Sequence, residues 1–332
     1  MAYEEQALPS PATKPEFALP QQTPWWKNAL KFARRKPLGA FGIAIAVFLL
    51  VLTLGTPKPE FGTPTIPDRP LGFEIGSPWF QRYDPEANFR SDDNRVRAYE
   101  SPSSNHWLGT DKSGRDVWAR VVNGARRSLS VALWALAIAT VIGTTIGIVS
   151  GYFGSWFDTV TQRLMDALQS FPPLIALILI VTINPLTEGS SLLVIAFALG
   201  IVGIPSVQRI TRGVVLSTRE QQYVDAARVI GASDIRTMRY YILPNIMASV
   251  IIVFSTGIGV AILAESALGF IAPDKLPTGP SWGVMLSDAQ PVIADNPWPG
   301  VSSAGAIALA VLGFNLAGDA LRDVLDPRLR LN

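Results

Sequence analysis

Apolar and polar positions along this chain segregate into long blocks, not into the short repeats of a half-buried surface helix or strand. Six stretches, 37–57, 128–157, 167–187, 189–208, 240–264 and 296–318, contain no Asp, Glu, Lys or Arg and together hold 140 residues. About 20 apolar residues in a helix span the roughly 30 Å hydrocarbon layer of a bilayer, and every stretch reaches that length. They predict six membrane helices, at 37–57, 128–150, 168–187, 189–208, 247–267 and 299–318. Core helices of a soluble protein are usually shorter and keep a polar face.

Composition sharpens this picture. Of the 332 residues 48% are hydrophobic and 16% are charged, against about 25% charged in soluble domains. All the charges fall outside the six stretches, at the density of an ordinary wet surface. The chain has no cysteine and a single histidine, His106, which excludes disulfides and thiolate metal sites and leaves almost no imidazole chemistry. A net charge of +2 gives no reason to expect nucleic acid as a partner.

The basic residues set an orientation. Residues 1–36 read as a cytoplasmic tail, rich in Pro, Gln, Thr and Glu over its first 26 positions and unable to bury a core. Lys27, Lys31, Arg34, Arg35 and Lys36 precede the first helix, which is expected to be an uncleaved anchor with its start on the cytoplasmic side. Six crossings return the tail 319–332 to that side. Lys112, Arg115, Arg120, Arg126 and Arg127 then lie outside, in a segment long enough to be partly exempt from the positive-inside rule.

That outer segment, 58–127, opens with an irregular portion rich in Pro, Gly, Asp and Asn, in which His106 reads as a solvated loop residue. From 113 to 127 the pattern becomes helical. Val117, Trp118, Val121, Val122 and Ala125 share one face, so this helix lies either along the membrane surface, with Trp118 at headgroup depth, or against other protein. In the core region 128–318, Gly143, Gly147 and Gly151 recur every four residues and predict a close helix-packing seam. Pro172, Pro173 and Pro185 bracket the third span, and Pro205 interrupts the end of the fourth.

The six stretches carry no charged residue, hence no candidate proton relay or voltage sensor. Glu265, just past the fifth charge-free stretch, reads as an interfacial outer-loop residue. No phosphate-binding G-x-x-x-x-G-K-[ST] loop, no G-x-S-x-G elbow and no metal-protease His pair occurs. If ATP drives this protein, another chain binds it.

The informative polar segment is 209–246. Ser217-Thr218-Arg219-Glu220 fits a capping box that starts a helix at Thr218, and Gly231 is placed to end it. Ala232-Ser233-Asp234 starts a second short helix with Ile235, Met238 and Ile242 on one face, and Pro244 suits the first turn of the next span. A helical hairpin at the inner membrane surface is predicted.

These residues carry a resemblance. Tyr223, Asp225-Ala226-Ala227, Gly231-Ala232-Ser233 and Leu243-Pro244-Asn245 resemble the EAA loop of bacterial ABC importer permeases of the dipeptide and oligopeptide branch. In this chain Asp stands for the usual Glu, and Tyr241 for Ile. Leu108-Gly109-Thr110-Asp111 with Gly114-Arg115-Asp116, Gly151-Tyr152-Phe153-Gly154, and Gly318-Asp319 through Arg322-Asp323 to Leu325-Asp326-Pro327-Arg328 agree with the same branch. The resemblance runs from about residue 25 to the C-terminus, leaving about 57–105 outside it.

The resemblance implies an all-α, six-span permease subunit of the C type in the bacterial or archaeal cytoplasmic membrane, not itself an enzyme. It implies a second, related permease chain, two cytoplasmic ATPases that hold ATP and Mg, an external substrate-binding protein, and lipid around the spans. Tyr223, Asp225, Ala226, Ala227, Arg228, Gly231, Ala232, Ser233, Leu243 and Pro244 would form the ATPase dock, with Ala226 and Ala227 as a side-chain-poor patch and Asp225 and Arg228 as charged partners. Peptides, nickel chelates and oligosaccharides are all carried in this branch. The competing class is an ion-coupled secondary transporter or channel subunit, which needs intramembrane coupling groups or repeated halves. A membrane hydrolase would need a nucleophile with a base.

Overall fold

The computed structural model describes residues 32–34, 36–55, 83–90, 95–183 and 192–325. The predicted N-terminal tail up to residue 31, most of the irregular outer portion, the end of the third span with Pro185, the start of the fourth, and the tail beyond 325 lie outside the described residues. The chain divides into Met1–Pro37, with a helical turn at 32–34, and a larger unit, Leu38–Asn332.

Among the described residues the structure is all helical apart from two isolated bridges, Arg90 with Val96 and Thr110 with Asp116. The principal elements are α1 (Pro37–Gly55), α2 (Val117–Phe153), α3 (Ser155–Gln169), α4 (Pro173–Ile183), α5 (Leu192–Thr218), α6 (Gln222–Val229), α7 (Asp234–Thr237), α8 (Leu243–Ile271), α9 (Trp282–Ala289) and α10 (Trp298–Leu325). A π-turn, Met238–Ile242, joins α7 to α8. Four described helices are long and apolar enough to cross a membrane: α2, α5, α10 and the continuous run Asp234–Ile271. The pair α3 and α4, bent by 84°, adds a fifth if it counts as one span, and α1 is apolar but shorter.

α2, α5, α8 and α10 run past the charge-free stretches that predicted them, and several expectations change. No separate helix at 113–127 exists: α2 runs unbroken for 37 residues, about 55 Å. Its outer turns pack on protein, not along a membrane surface, because Val117, Val122 and Ala125 are buried. Charges fit there because they are paired. Arg120 meets Glu86 at 2.9 Å, and Arg127 donates to the carbonyls of Pro277 and, at 2.8 Å, Thr278.

The third span is not one straight helix over 168–187. It breaks at Pro172-Pro173, where two missing N–H groups and the extended preference of a residue before proline stop α3. Pro205, by contrast, lies inside α5 without ending it. Membrane helices tolerate an internal proline where neighbouring helices hold them, and α5 is held along its length by α2.

That contact is the predicted glycine seam. A Cβ at Gly143 would sit 2.9 Å from Val207 Cβ, at Gly147 2.8 Å from Thr211 Cβ, and at Gly151 2.9 Å from Val215 Cβ. On the facing helix Gly200 meets Ala135 and Ile138 in the same way. Residue numbers rise together on both helices, so α2 and α5 are parallel. Gly257 faces Leu136 while Glu265 lies beside Ser128, Gly259 faces Asn315 while Gly318 faces Thr256, and Gly313 faces Ile45 while Gly42 faces Leu316; these pairings make α8 antiparallel to α2, α10 antiparallel to α8, and α1 antiparallel to α10. The start of α1, the end of α10 and the α6–α7 hairpin therefore share one side of the bundle.

The opposite end, expected from the basic residues to be the outer one, is closed by polar clamps. Asp116 caps α2, its Oδ1 accepting from the Ala119 amide at 2.8 Å, and its Oδ2 lies 2.9 Å from His106 Nδ1. His106 is thus buried, not solvated, and packs against Tyr83 and Phe89. Asp111 accepts from the amides of Ser113 and Arg115 and from Arg115 Nε, while Gly109 and Gly114 take positive φ at the flanking turns. Burial works against the Arg115 cation, but Asp111 and Glu86 outweigh it and hold its pKa above the ordinary arginine value. Lys112 reaches Asp288 of α9 at 2.6 Å. Trp282 Nε1 donates to the Val121 carbonyl at 2.9 Å, fixing α9 on α2. Glu265, expected at an interface, is fully buried inside α8, within electrostatic reach of Arg127 and 3.4 Å from Ser266 Oγ.

Candidate functional site: the α6–α7 hairpin

The chain leaves α5 later than the capping-box reading implied. Ser217 and Thr218 hydroxyls both donate back to the Val214 carbonyl at 2.8 Å, so they extend α5 instead of capping the next helix. Val215, fully buried, supplies the reason: the apolar face of α5 continues seven residues past the last charge-free position, Gln208. α6 begins at Gln222 after an extended Gln221.

α6 ends as predicted at Gly231. Its φ is +83°, the Gly231 amide donates to the Arg228 carbonyl at 2.9 Å, and the Ala232 amide donates to the Ala227 carbonyl at 3.0 Å. This pair of bonds is a Schellman stop, which needs a left-handed residue at that point. Ser233 then caps α7, its Oγ accepting from the Arg236 amide at 3.4 Å, and Pro244 sits in the first turn of α8. Its missing N–H falls just after the π-turn, where the helix is already rewound.

The hairpin has two faces. Val224 and Ile242 are buried and join Ile148, Tyr152, Val215, Ile246 and Val250 in a small cluster of their own, and Ala227 is buried too. Ala227 is therefore spent on the fold, and of the expected Ala226–Ala227 patch only Ala226 is exposed. Met238 packs at the cluster edge, whereas Ile235, expected to share its face, is 75% exposed. The outer face carries Tyr223, Asp225, Ala226 and Arg228 together with Val229 (86% exposed) and Ile230 (77%). Asp225 and Arg228 pair with each other at 3.3 Å while both remain largely exposed. Gly231 and Ser233 are also exposed, Ala232 and Leu243 are half-buried, and Pro244 is exposed.

The sequence reading placed Ile235 on the packed face and missed Val229 and Ile230. Their signal was available: two adjacent apolar residues just before a helix-ending glycine cannot both reach a core beneath a one-layer hairpin. It also missed Tyr152 and Arg219, which hold the hairpin from below. Tyr152 Oη donates to Asp234 Oδ1 at 2.7 Å, and Arg219 donates to the Gly151 carbonyl at 2.9 Å. Among the described residues no group of His, Asp and Glu is placed to hold a metal ion.

Comparison with known proteins agrees with this layout. Residues 143–331 match the family described as binding-protein-dependent transport system inner membrane component, a match that opens at the first seam glycine and takes in the whole hairpin. The chain is 41% identical over 231 residues to a dipeptide transport system permease protein of Alkalihalophilus pseudofirmus, covering 70% of this chain and 75% of the relative. It is 33% identical over 309 residues to a glutathione transport system permease protein of Pectobacterium atrosepticum, covering 93% of each, and 33% identical over 320 residues to one of Escherichia coli, covering 96% and 95%. With apolar helices packed along a glycine seam and a hairpin whose outer face is unused by its own fold, the chain belongs to the binding-protein-dependent transport system inner membrane components, the permease subunits of ABC importers.

Proposed function

We propose that this chain is a C-type permease subunit that moves peptides or similar small solutes into the cytoplasm, and that the α6–α7 hairpin is its dock for a cytoplasmic ATPase. The observation that carries the reading is the outer face of the hairpin. Val229, Ile230 and Ile235 stand exposed beside Asp225 and Arg228, the mixture of apolar anchors and charges that a protein partner covers. The chain works beside a second, related permease, two ATPases that hold ATP and Mg, and an external binding protein. Closure of the ATPases on ATP pulls the hairpin and opens the pathway outward; hydrolysis resets it.

Helix direction supports six spans with both termini on one side, and the basic residues before α1 favour the cytoplasm for that side. Because α2 and α5 are parallel, the chain must recross the membrane between them, and α3 with α4 is the segment available to do so. The antiparallel pairings of α1, α8 and α10 then bring the start of α1 and the end of α10 to the hairpin side. Dipeptide and glutathione are the solutes named for the relatives, which favours a peptide-like cargo.

The test is co-purification from membranes expressing the full importer. The unaltered chain should retain the ATPase in mild detergent, and Val229→Asp with Ile230→Asp should lose it while the chain still inserts. Retention by the double variant overturns the dock. In this cysteine-free chain, a cysteine at Ser233 should be labelled by an impermeant reagent only after the membrane is opened; labelling from outside intact cells overturns the orientation.

A further inference from the structure

At the inner end of α2 one side chain touches both arms of the hairpin. Tyr152, the penultimate residue of α2, is 7% exposed. Its hydroxyl donates to Asp234, the first residue of α7, at 2.7 Å. Its ring lies 5.2 Å from the Arg228 guanidinium of α6, in cation–π range. The backbone is held as well, because Arg219, the residue after α5, donates to the carbonyls of Gly151 at 2.9 Å and Tyr152 at 3.4 Å. Two residues on, Gly154 and Ser155 both take positive φ and turn the chain into α3.

What is attached to this ring is stiff. α2 contains no proline and no break over its 37 residues, so a displacement at Tyr152 is not absorbed along the helix. The glycine seam leaves no side-chain layer between α2 and α5, and packed contacts of that kind shift between discrete arrangements instead of deforming smoothly. The far end of α2 carries the bond from Trp282 that holds α9.

We infer that Tyr152 is the positioning residue through which the hairpin moves the α2–α5 pair and, with it, the outer clamp on α9. This rests on the hairpin being the ATPase dock. The ring and the hydroxyl have separate tasks. The ring grips α6 through Arg228 and the apolar cluster; the hydroxyl grips α7 through Asp234, so the two arms follow a pull as one body. Phenylalanine keeps the first grip and releases the second.

The experiment uses the assembled importer in proteoliposomes with spin labels on cysteines at Val141 of α2 and Val260 of α8, both exposed. In the otherwise unaltered chain, ATP with vanadate should change the distance between the labels. With Tyr152→Phe the complex should keep its ATPases, while the fraction showing the ATP-dependent distance falls by about tenfold, the effect of losing one hydrogen bond to a charged group. Asp234→Ala should give the same loss, and combining it with Tyr152→Phe should add nothing. A full distance change with Tyr152→Phe overturns the inference, as does loss of the ATPases from that variant, which would make Tyr152 part of the dock itself. If the unaltered chain fails to retain ATPases, the dock fails first and the inference falls with it.

Discussion

The two ends of α2 solve opposite problems. At the outer end, charged groups are drawn inward and matched: Arg120 with Glu86, Arg115 with Asp111, Asp116 with His106 and with an amide, Arg127 with two carbonyls. At the inner end, Val229, Ile230 and Ile235 are turned outward with no described packing of their own. Most of the described charges at the outer end find partners within one chain. The apolar residues of the hairpin do not, and that contrast points to the hairpin as the surface a partner finishes.

The contrast can be broken by four substitutions, ordered by expected loss of stability and read by thermal unfolding in detergent. Arg120→Leu removes the guanidinium between Glu86, Asp111 and the Pro85 carbonyl. A broken buried pair should cost about 3 kcal/mol; a loss below about 0.5 kcal/mol, the size of an ordinary surface change, would mean the outer clamp is ornamental. Gly147→Ala places a methyl 2.8 Å from Thr211 Cβ and 2.9 Å from the Gln208 carbonyl and should cost about 2 kcal/mol by overpacking. An unchanged melting temperature would mean that the seam gives way.

Gly231→Ala meets nothing within 4 Å, so only its φ of +83° opposes the change, at about 1 kcal/mol. Asparagine, which tolerates that region better, should recover part of the loss, and failure to do so would point to a role beyond the turn. Ile235→Ser should alter stability by less than about 0.5 kcal/mol yet weaken ATPase retention. A clear drop in melting temperature would show Ile235 to be part of the fold and erase the difference between the two ends.

The bundle was largely legible in the sequence, and for a definite reason. Hydrocarbon excludes unpaired charge, so charge-free blocks of 20 or more residues mark spans, and glycines four apart mark a seam whatever helix they face. The same rule hid the helix ends. Arg120, Arg127 and Glu265 are helical but held by local partners, which a rule based on single residues does not see. The third span escaped because consecutive prolines within an apolar block change its direction without changing its composition. On the hairpin, Gly231 and Ser233 were legible because turn and cap chemistry are local. Ala227 was misassigned because spacing alone does not say which face of a short helix the bundle covers, and Ala227 lies on the buried one. Tyr152 was invisible as a contact because its partners, Arg228 and Asp234, lie more than 70 residues away.

The Schellman stop at Gly231 has a consequence for how such subunits diverge. It is closed by backbone bonds from Gly231 and Ala232 to the carbonyls of Arg228 and Ala227, so the turn requires one conformation at 231 and a small side chain at the buried 227, while the side chains at 226, 229, 230 and 235 are free of it. Recognition and architecture are thus written in separate letters on the same short segment. On the proposed dock, a lineage can rewrite the recognition letters to suit a new ATPase without refolding the permease, and an engineer can exchange them between permeases with the same freedom.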